Sequence, residues 1–368
     1  MKPVRVLVTG AGSGVGQGII KSLRICNYPV TIISADISPF NSALYRADEA
    51  LIIPKVEDLN ALTSIIKIIN ANNINVVMVG SEFDLMFFSK NKEHIYSKTG
   101  AITIVSPSET VAIADDKWLT AKFLQDNCLP HAESFISDTL DEVIDKAVAW
   151  GFPIIVKARN GTSSRNVFIV ENIDELVKIW PNTPCPILQK LIDIPSTELN
   201  NEYTCSIFKT LEGTILGPFH ARRTLRGGTS WHIEVDLFPE IGSLLTDIGK
   251  VLEFQGSLNV QLMVSESGPI PFEINARFSG TTPVRSHFGF NEPALALQSY
   301  YYKEEPKQPI IGKGVAFRYQ EEVFIDDENA AVHENRRCNQ HFSCAENTAQ
   351  SVVITGKGND AFFHLIND

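Results

Sequence analysis

An α/β chain in two or more units, opening on a parallel sheet and continuing into an α+β region, is predicted by three observations. At 368 residues and 44% hydrophobic content, the chain is too long for one ordinary core and rich enough to bury several. Its first apolar strand, Val4-Arg-Val-Leu-Val-Thr9, runs into the glycine turn Gly10-Ala-Gly-Ser-Gly-Val-Gly16 and then an amphipathic helix. Far downstream, Ser257–Val264 and Pro269–Arg277 each alternate apolar with polar residues around the turn Glu266-Ser-Gly-Pro269, the pattern of an antiparallel hairpin.

The opening strand, glycine turn and helix from Gln17 to about Cys26 are Rossmann-like, since glycines let backbone amides and a helix N-terminus approach a phosphate. The second strand, Val30–Asp36, ends in an acid where a dinucleotide fold would hold a ribose, so NAD is an alternative ligand. Thr9-Gly10-x3-Gly14-x-Gly16 also resembles the fingerprint of short-chain dehydrogenases. That family needs a Tyr-x3-Lys pair, and Tyr96, Tyr203 and Tyr300 each lack the lysine. The pattern continues through a helix around Leu59–Ala71 and the strand Asn75–Gly80. Ser81-Glu-Phe-Asp84 then falls at the carboxyl end of that strand, where ligands of open α/β sheets bind. Glu82 and Asp84 are therefore candidate substrate residues, or else first-turn acids of a helix. A short strand at Ile102–Val105 closes this unit near residue 110.

After a helix over Leu140–Trp150, the strand Gly151–Lys157 ends in a lysine followed by the small-residue loop Ala158–Val167. That is a phosphate cradle in physical terms: a point charge at the mouth, with flexible backbone amides closing over the anion. Its candidates are Lys157, Gly161 and Ser163, with Asn166 at a position that tolerates the left-handed conformation. The basic run Phe219–Thr229 carries three arginines beside Gly227-Gly228 and reads as a mobile loop meeting an anionic substrate, with Arg222 the first candidate and Arg223 the second. In the hairpin, Glu273, Asn275 and Arg277 share one face opposite Ile270, Phe272 and Ile274, and Gln261 on the partner strand sits beside Glu273. Gln261, Glu273 and Asn275 suit a hard cation, and Arg277 suits a transferring phosphoryl group. The alternative is an edge strand whose polar face is merely solvated.

Four separated motifs resemble those of the ATP-grasp superfamily, in its order: Asp116-Lys117-x2-Thr120, Val156-Lys157, Gln189-Lys190-Leu191-Ile192 and Glu273-Ile-Asn275-Ala-Arg277. The last is similar to the Glu-Met-Asn-Pro-Arg strand of carbamoyl-phosphate synthase large subunits. The resemblance covers about residues 1 to 325. It implies a Rossmann-like pre-ATP-grasp domain over residues 1–110, a lid lobe over 111–187, a large lobe with the metal site over 188–305 and a closing element over 306–368. It implies ATP and Mg²⁺ or Mn²⁺ as cofactors, with Lys117, Lys157, Gly161 and Ser163 on the phosphates, Gln189–Ile192 on the adenine and Glu202 on the ribose. Gln261 would serve both nucleotide and metal. The turn Ser279, Gly280 and Thr281 beyond Arg277 would receive a substrate carboxylate.

The activity so implied is ADP-forming carboxylate–amine ligation through an acyl-phosphate. Carbamoyl-phosphate synthase-like phosphorylation of bicarbonate, an NAD-dependent oxidoreductase and a non-catalytic nucleotide sensor are the alternatives. Small-molecule carboxylate and amine substrates are expected, an amino acid first, and a homodimer is left open. A net charge of −11 and a pI near 5.3 argue against a nucleic-acid or anionic-membrane surface. With no bilayer-length apolar run and no signal-peptide core after Lys2, a cytoplasmic protein is expected. The six cysteines lack a framework spacing and suit reduced thiols. His333, Cys338, His341 and Cys344 have zinc-ligating types, which a polar loop explains as well.

Overall fold

The computed structural model describes residues 3–161, 166–194 and 202–324, together with the backbone of two strands at 351–355 and 362–366. The fold is a parallel-sheet domain followed by two antiparallel layers. In the first unit, strands β1 (Val4–Thr9), β2 (Val30–Asp36), β3 (Glu49–Ile52), β4 (Val76–Val79) and β5 (Ile102–Ile104) form a parallel sheet of order β3-β2-β1-β4-β5. Helices α1 (Gly14–Arg24), α2 (Ala61–Ala71) and α3 (Glu82–Thr99) pack on it. Successive residues of β1 enter different cores: Val6 and Val8 join Ile19 and Leu23 of α1, whereas Leu7 joins Ile65 of α2 and Phe88 of α3. Burial on both faces is why these strands read as continuous apolar runs.

Helix α1 starts three residues earlier than its periodicity predicts, because Ser13 caps it by accepting from the Gly16 amide at 2.9 Å. The turn closes tightly. A Cβ at Gly16 would lie 2.4 Å from the Gly10 carbonyl oxygen, so only glycine fits that approach.

Helices α4 (Ser108–Asp115) and α5 (Lys117–Asp126) lead into the lid layer. Its strands β6 (Ser134–Phe135), β7 (Ile154–Ala158), β8 (Val167–Val170) and β9 (Pro186–Lys190) form the order β6-β9-β7-β8. Helices α6 (Leu140–Trp150) and α7 (Ile173–Ile179) cover one face through Val143, Ala147 and Leu176. Asn166, with φ of 54°, adopts the left-handed conformation its residue type tolerates.

The third layer contains β10 (Glu202–Lys209), β11 (Ile215–Phe219), β12 (Ala221–Arg226), β13 (Thr229–Val235), β14 (Gly256–Ser265), β15 (Gly268–Asn275) and β16 (Gly314–Phe317). Its order is β15-β14-β10-β12-β13-β16, with β11 also on β10. Helix α8 (Pro239–Val251) seals one face, and α9 (Thr282–His287) and α10 (Glu292–Ala296) lead from β15 back to α1. A Cβ at Gly18 of α1 would sit 3.0 Å from Pro283, so the glycine lets the turn after β15 press against the first domain. A last hairpin, β17 (Ser351–Thr355) and β18 (Phe362–Ile366), completes the elements. Among the described residues, no helix is long and apolar enough to cross a membrane.

Two expectations are corrected here. The basic run over 219–229 is not a loop but the hairpin β12–β13, turned at Gly227 and Gly228 with φ of 56° and 72°. Its charges are tolerated within strands because each pairs: Arg222 with Glu234 and Arg223 with Glu202. The second correction concerns β15, where the strict alternation breaks. Gln261 faces Glu273 but Leu262 faces Pro271, leaving Phe272 as the extra residue of a bulge. Phe272 therefore leaves the core that Ile274 enters.

Candidate active site

Adjacent strands bring a row of polar residues to one face of the third sheet. Register places Glu202 opposite Arg223, Thr204 opposite Gln261, and Gln261 opposite Glu273, with Asn259 opposite Asn275. The side chains link into one chain of hydrogen bonds. Arg223 donates to Glu202 at 2.5 Å and to the Gln261 amide oxygen at 2.8 Å. Gln261 and Asn275 each donate to the same Glu273 oxygen at 2.8 Å, and Arg277 donates to the Asn275 oxygen at 2.9 Å. One carboxylate and two amides thus converge, flanked by two guanidinium groups.

Lys157, at the end of β7, faces this row with its ammonium 5.7 Å from the Phe272 ring centre. Burial pushes the Lys157 pKa down to about 8, the Lys117 charge pushes the same way, and the Glu273 carboxylate opposes both. Lys117 stands at the N-terminal end of α5, capped by Asp116, and donates to the carbonyls of Arg159 and Gly161 at 3.3 and 3.0 Å. Asp116 in turn pairs with Arg159 at 2.5 Å, fixing the loop that leaves β7. Ser163 lies outside the described residues, as does the His333–Cys344 cluster.

The depressed Lys157 value carries a sign. The unfolded chain keeps its proton up to 10.5, so between about 8 and 10.5 it binds more protons than the fold, and stability rises with pH there. The melting-temperature gain of Lys157→Met over the natural chain should be largest below pH 8 and shrink towards pH 10.5. A gain independent of pH would contradict the burial of a charged amine.

A cavity of about 330 Å³ opens towards the turn between β14 and β15, lined by Lys190, Leu191 and Ile192 on one side and by Ser265, Glu266 and Ile270 on the other. Gln189 is buried and donates to Ser134 at 2.9 Å, while Lys190 pairs with Glu133 at 2.8 Å. The strand linking the lobes therefore borders the cavity where the chain leaves β9.

The first domain meets the row through Arg277, which ion-pairs with Glu82 at the start of α3. Ser279 and Thr281 are buried and bonded to each other at 2.7 Å, and the Gly280 carbonyl accepts from Arg318 at 2.8 Å. Burial raises the Asp84 pKa to about 6. The Thr9 side chain opposes this, and the Asp36 and Glu57 charges reinforce it. Because the folded value exceeds the ordinary 3.8, stability is lost as pH rises through that window. Asp84→Asn should thus gain roughly 1–2 kcal/mol at neutral pH, with no gain near pH 4, read from urea midpoints.

Asp36 is engaged by the protein itself. It accepts from the Gly12 amide at 3.0 Å and from Asn41 at 2.9 Å. A Cβ at Gly12 would lie 1.5 Å from the Asn41 amide nitrogen, so Asn41 lies against the glycine turn and its side-chain end would have to move for a dinucleotide pyrophosphate to approach. That placement disfavours the oxidoreductase alternative.

The structure brings together Lys117, Lys157, Gln261, Glu273, Asn275, Arg223 and Glu202, and through the Arg277–Asn275 bond adds Arg277, Glu82 and the 279–281 turn at one end. Arg222 is not among them, since it projects from the opposite face of β12 to Glu234 at 2.6 Å. Phe272 and Arg159 were missed by sequence reasoning, as was the pairing of Asp116 with Arg159. Pro271 was the available signal for Phe272, because proline inside a strand marks an edge or a bulge. The donor set fits a hard divalent cation: the Glu273 carboxylate with the amide oxygens of Gln261 and Asn275, completed by ligand phosphates. In the present arrangement those amide oxygens face Arg223 and Arg277.

Comparison with known proteins sets these observations in a family. Residues 6–104 match the PylC-like N-terminal domain, and residues 114–281 match the ATP-grasp domain. The Helicobacter pylori carbamoyl phosphate synthase large chain is 28% identical over 207 residues, 52% of this chain and 19% of its own length. The arginine-specific large chain of Halalkalibacterium halodurans is 21% identical over 359 residues, 88% of this chain and 33% of its own. The chain thus spans a third or less of these relatives. Among solved structures, N5-carboxyaminoimidazole synthetase from Staphylococcus aureus with ADP superposes with a TM-score of 0.67 at 15% identity, covering 92% of this chain and 86% of that one. The biotin carboxylase domain of Hydrogenobacter thermophilus 2-oxoglutarate carboxylase, with MgADP and bicarbonate, gives 0.67 at 15% identity over 86% and 74%. The chain thus carries a PylC-like N-terminal domain over residues 6–104 followed by an ATP-grasp domain over residues 114–281.

Proposed function

We propose that the chain ligates a small carboxylate to an amine, consuming ATP and releasing ADP through an acyl-phosphate. The observation that carries this reading is the convergence of Lys157, Lys117 and Glu273 with the Gln261 and Asn275 amides, on the same β14–β15 hairpin whose turn end borders the cavity at the end of β9. Lys117 and Lys157 offer the charges that hold phosphates, and Leu191 and Ile192 offer an apolar wall to a base. Bound Mg²⁺, held by Glu273 and the two amide oxygens, would supply charge neutralisation at the transferred phosphoryl group. Arg277 stands between that end of the row and Glu82, so it can stabilise the acyl-phosphate oxygens where the acceptor approaches. The 279–281 turn presents buried hydroxyls for a substrate carboxylate, and Glu82 and Asp84 present acids for an ammonium group. An amino acid complements both charges.

Bicarbonate is the second reading, favoured by the relatives named carbamoyl phosphate synthase and by the neighbour crystallised with bicarbonate. A phosphate-release screen of amino acids and small carboxylates, singly and with amines, separates the two. Activity with an organic carboxylate and amine is expected. Activity only with bicarbonate and ammonia would overturn the amide-ligase reading.

A further inference from the structure

A second cavity of about 120 Å³ lies behind β6, walled by Trp118 and Lys122 of α5, Lys146 and Trp150 of α6, and His131 and Glu133 of the segment between them. We propose that it is an effector site for a small oxyanion, phosphate or carboxylate, whose occupancy changes nucleotide affinity at the larger cavity. This rests on reading the larger cavity as the nucleotide site.

The charge at this cavity is of the opposite sign to the chain as a whole, which carries −11. Lys146 holds its ammonium over the Trp150 ring at 4.8 Å and near the Phe135 ring at 5.8 Å, and makes no ion pair among the described residues. Aromatic faces keep that cation in place without neutralising it. Among the described residues Lys122 is held by Asp126 alone, at 3.0 Å, in a pair more than half exposed on both sides, which a bound anion can displace. The single acid on the wall, Glu133, is already committed to Lys190 at 2.8 Å. Two lysines therefore line a polar space sized for a small anion, and their ammonium groups lie within a side-chain rotation of it.

Coupling follows from the shared wall. His131 and Glu133 line both cavities, and Glu133 grips Lys190 twice, through its carboxylate and through its carbonyl, which accepts from the Lys190 amide at 2.9 Å. An anion that draws on Lys146 and Lys122 shifts the field at Glu133 and so the position of the strand end bordering the larger cavity. Whatever it does to nucleotide affinity, the nucleotide must do to the anion by the same factor.

The test titrates inorganic phosphate and succinate separately into the full chain carrying Lys117→Met and Lys157→Met, which removes the two competing phosphate-binding charges, while following tryptophan fluorescence. A saturable change with at least one probe is expected, and which probe acts identifies the anion class. Adding Lys146→Met or, independently, Lys122→Met should weaken it about tenfold or more. No saturable change, or one unaffected by both substitutions, overturns the site. In the natural chain a saturating probe should shift MgADP affinity at least twofold, and an unchanged affinity overturns the coupling. Failure of MgADP to bind at all would instead sink the nucleotide reading and leave the anion titration standing.

Discussion

Glu273→Gln is expected to reduce ATP-dependent phosphate release by roughly a hundred- to a thousandfold while leaving the melting temperature nearly unchanged. The substitution is isosteric, and the amide oxygen can still accept from Gln261 and Asn275, both now 2.8 Å from one Glu273 oxygen. What it removes is the only carboxylate of the donor set. It also removes the charge that supports protonated Lys157 against burial and against Lys117. Asn275→Ala should behave alike, with a smaller loss. Parallel declines in stability and turnover would instead mark the row as an ordinary polar face, important for folding alone.

Glu292→Gln should have the largest effect on stability, about 3–5 kcal/mol, measured as a lowered urea midpoint. Arg285 and Glu292 are both fully buried and pair at 3.1 Å. Glu292 also accepts from Ser206 and Ser257, each at 2.5 Å, and Arg285 reaches Asn259, which stands opposite Asn275 of the polar row. Removing the acid leaves a guanidinium stranded in the core, where an uncompensated charge costs more than the pair contributed. The double substitution Arg285→Met with Glu292→Leu should recover much of the loss. A double variant as unstable as the single one would show that packing, not the stranded charge, sets the effect.

The sequence made some of this legible and hid the rest for physical reasons. The parallel sheet could be read because burial on both faces forces uninterrupted apolar runs such as Val4–Val8, a pattern local to each strand. The β14–β15 hairpin could be read because period-two alternation and a glycine-containing turn set its register, which put Gln261 opposite Glu273. Phe272 escaped because a bulge changes which face a residue occupies without altering composition. Arg222 was favoured over Arg223 because a run of arginines gives no clue to strand parity until its partners are known. Those partners, Glu202 and Glu234, lie 21 and 12 residues away along the chain. The Arg277–Glu82 pair and the Arg285–Asn259 contact are likewise products of tertiary packing, invisible to any local window.

Phosphoryl transfer from ATP to a carboxylate, in the row between Lys157 and Arg277, is the chemistry we propose. It is tested most directly by chromatographic analysis of the nucleotide products formed with each carboxylate that supports phosphate release, with and without Mg²⁺. ADP and inorganic phosphate are expected in equal amounts, only with the divalent cation, and from the Glu273→Gln chain at a rate lower by the same roughly hundred- to thousandfold factor. AMP and pyrophosphate as products, or ADP formed without a divalent cation, would contradict it.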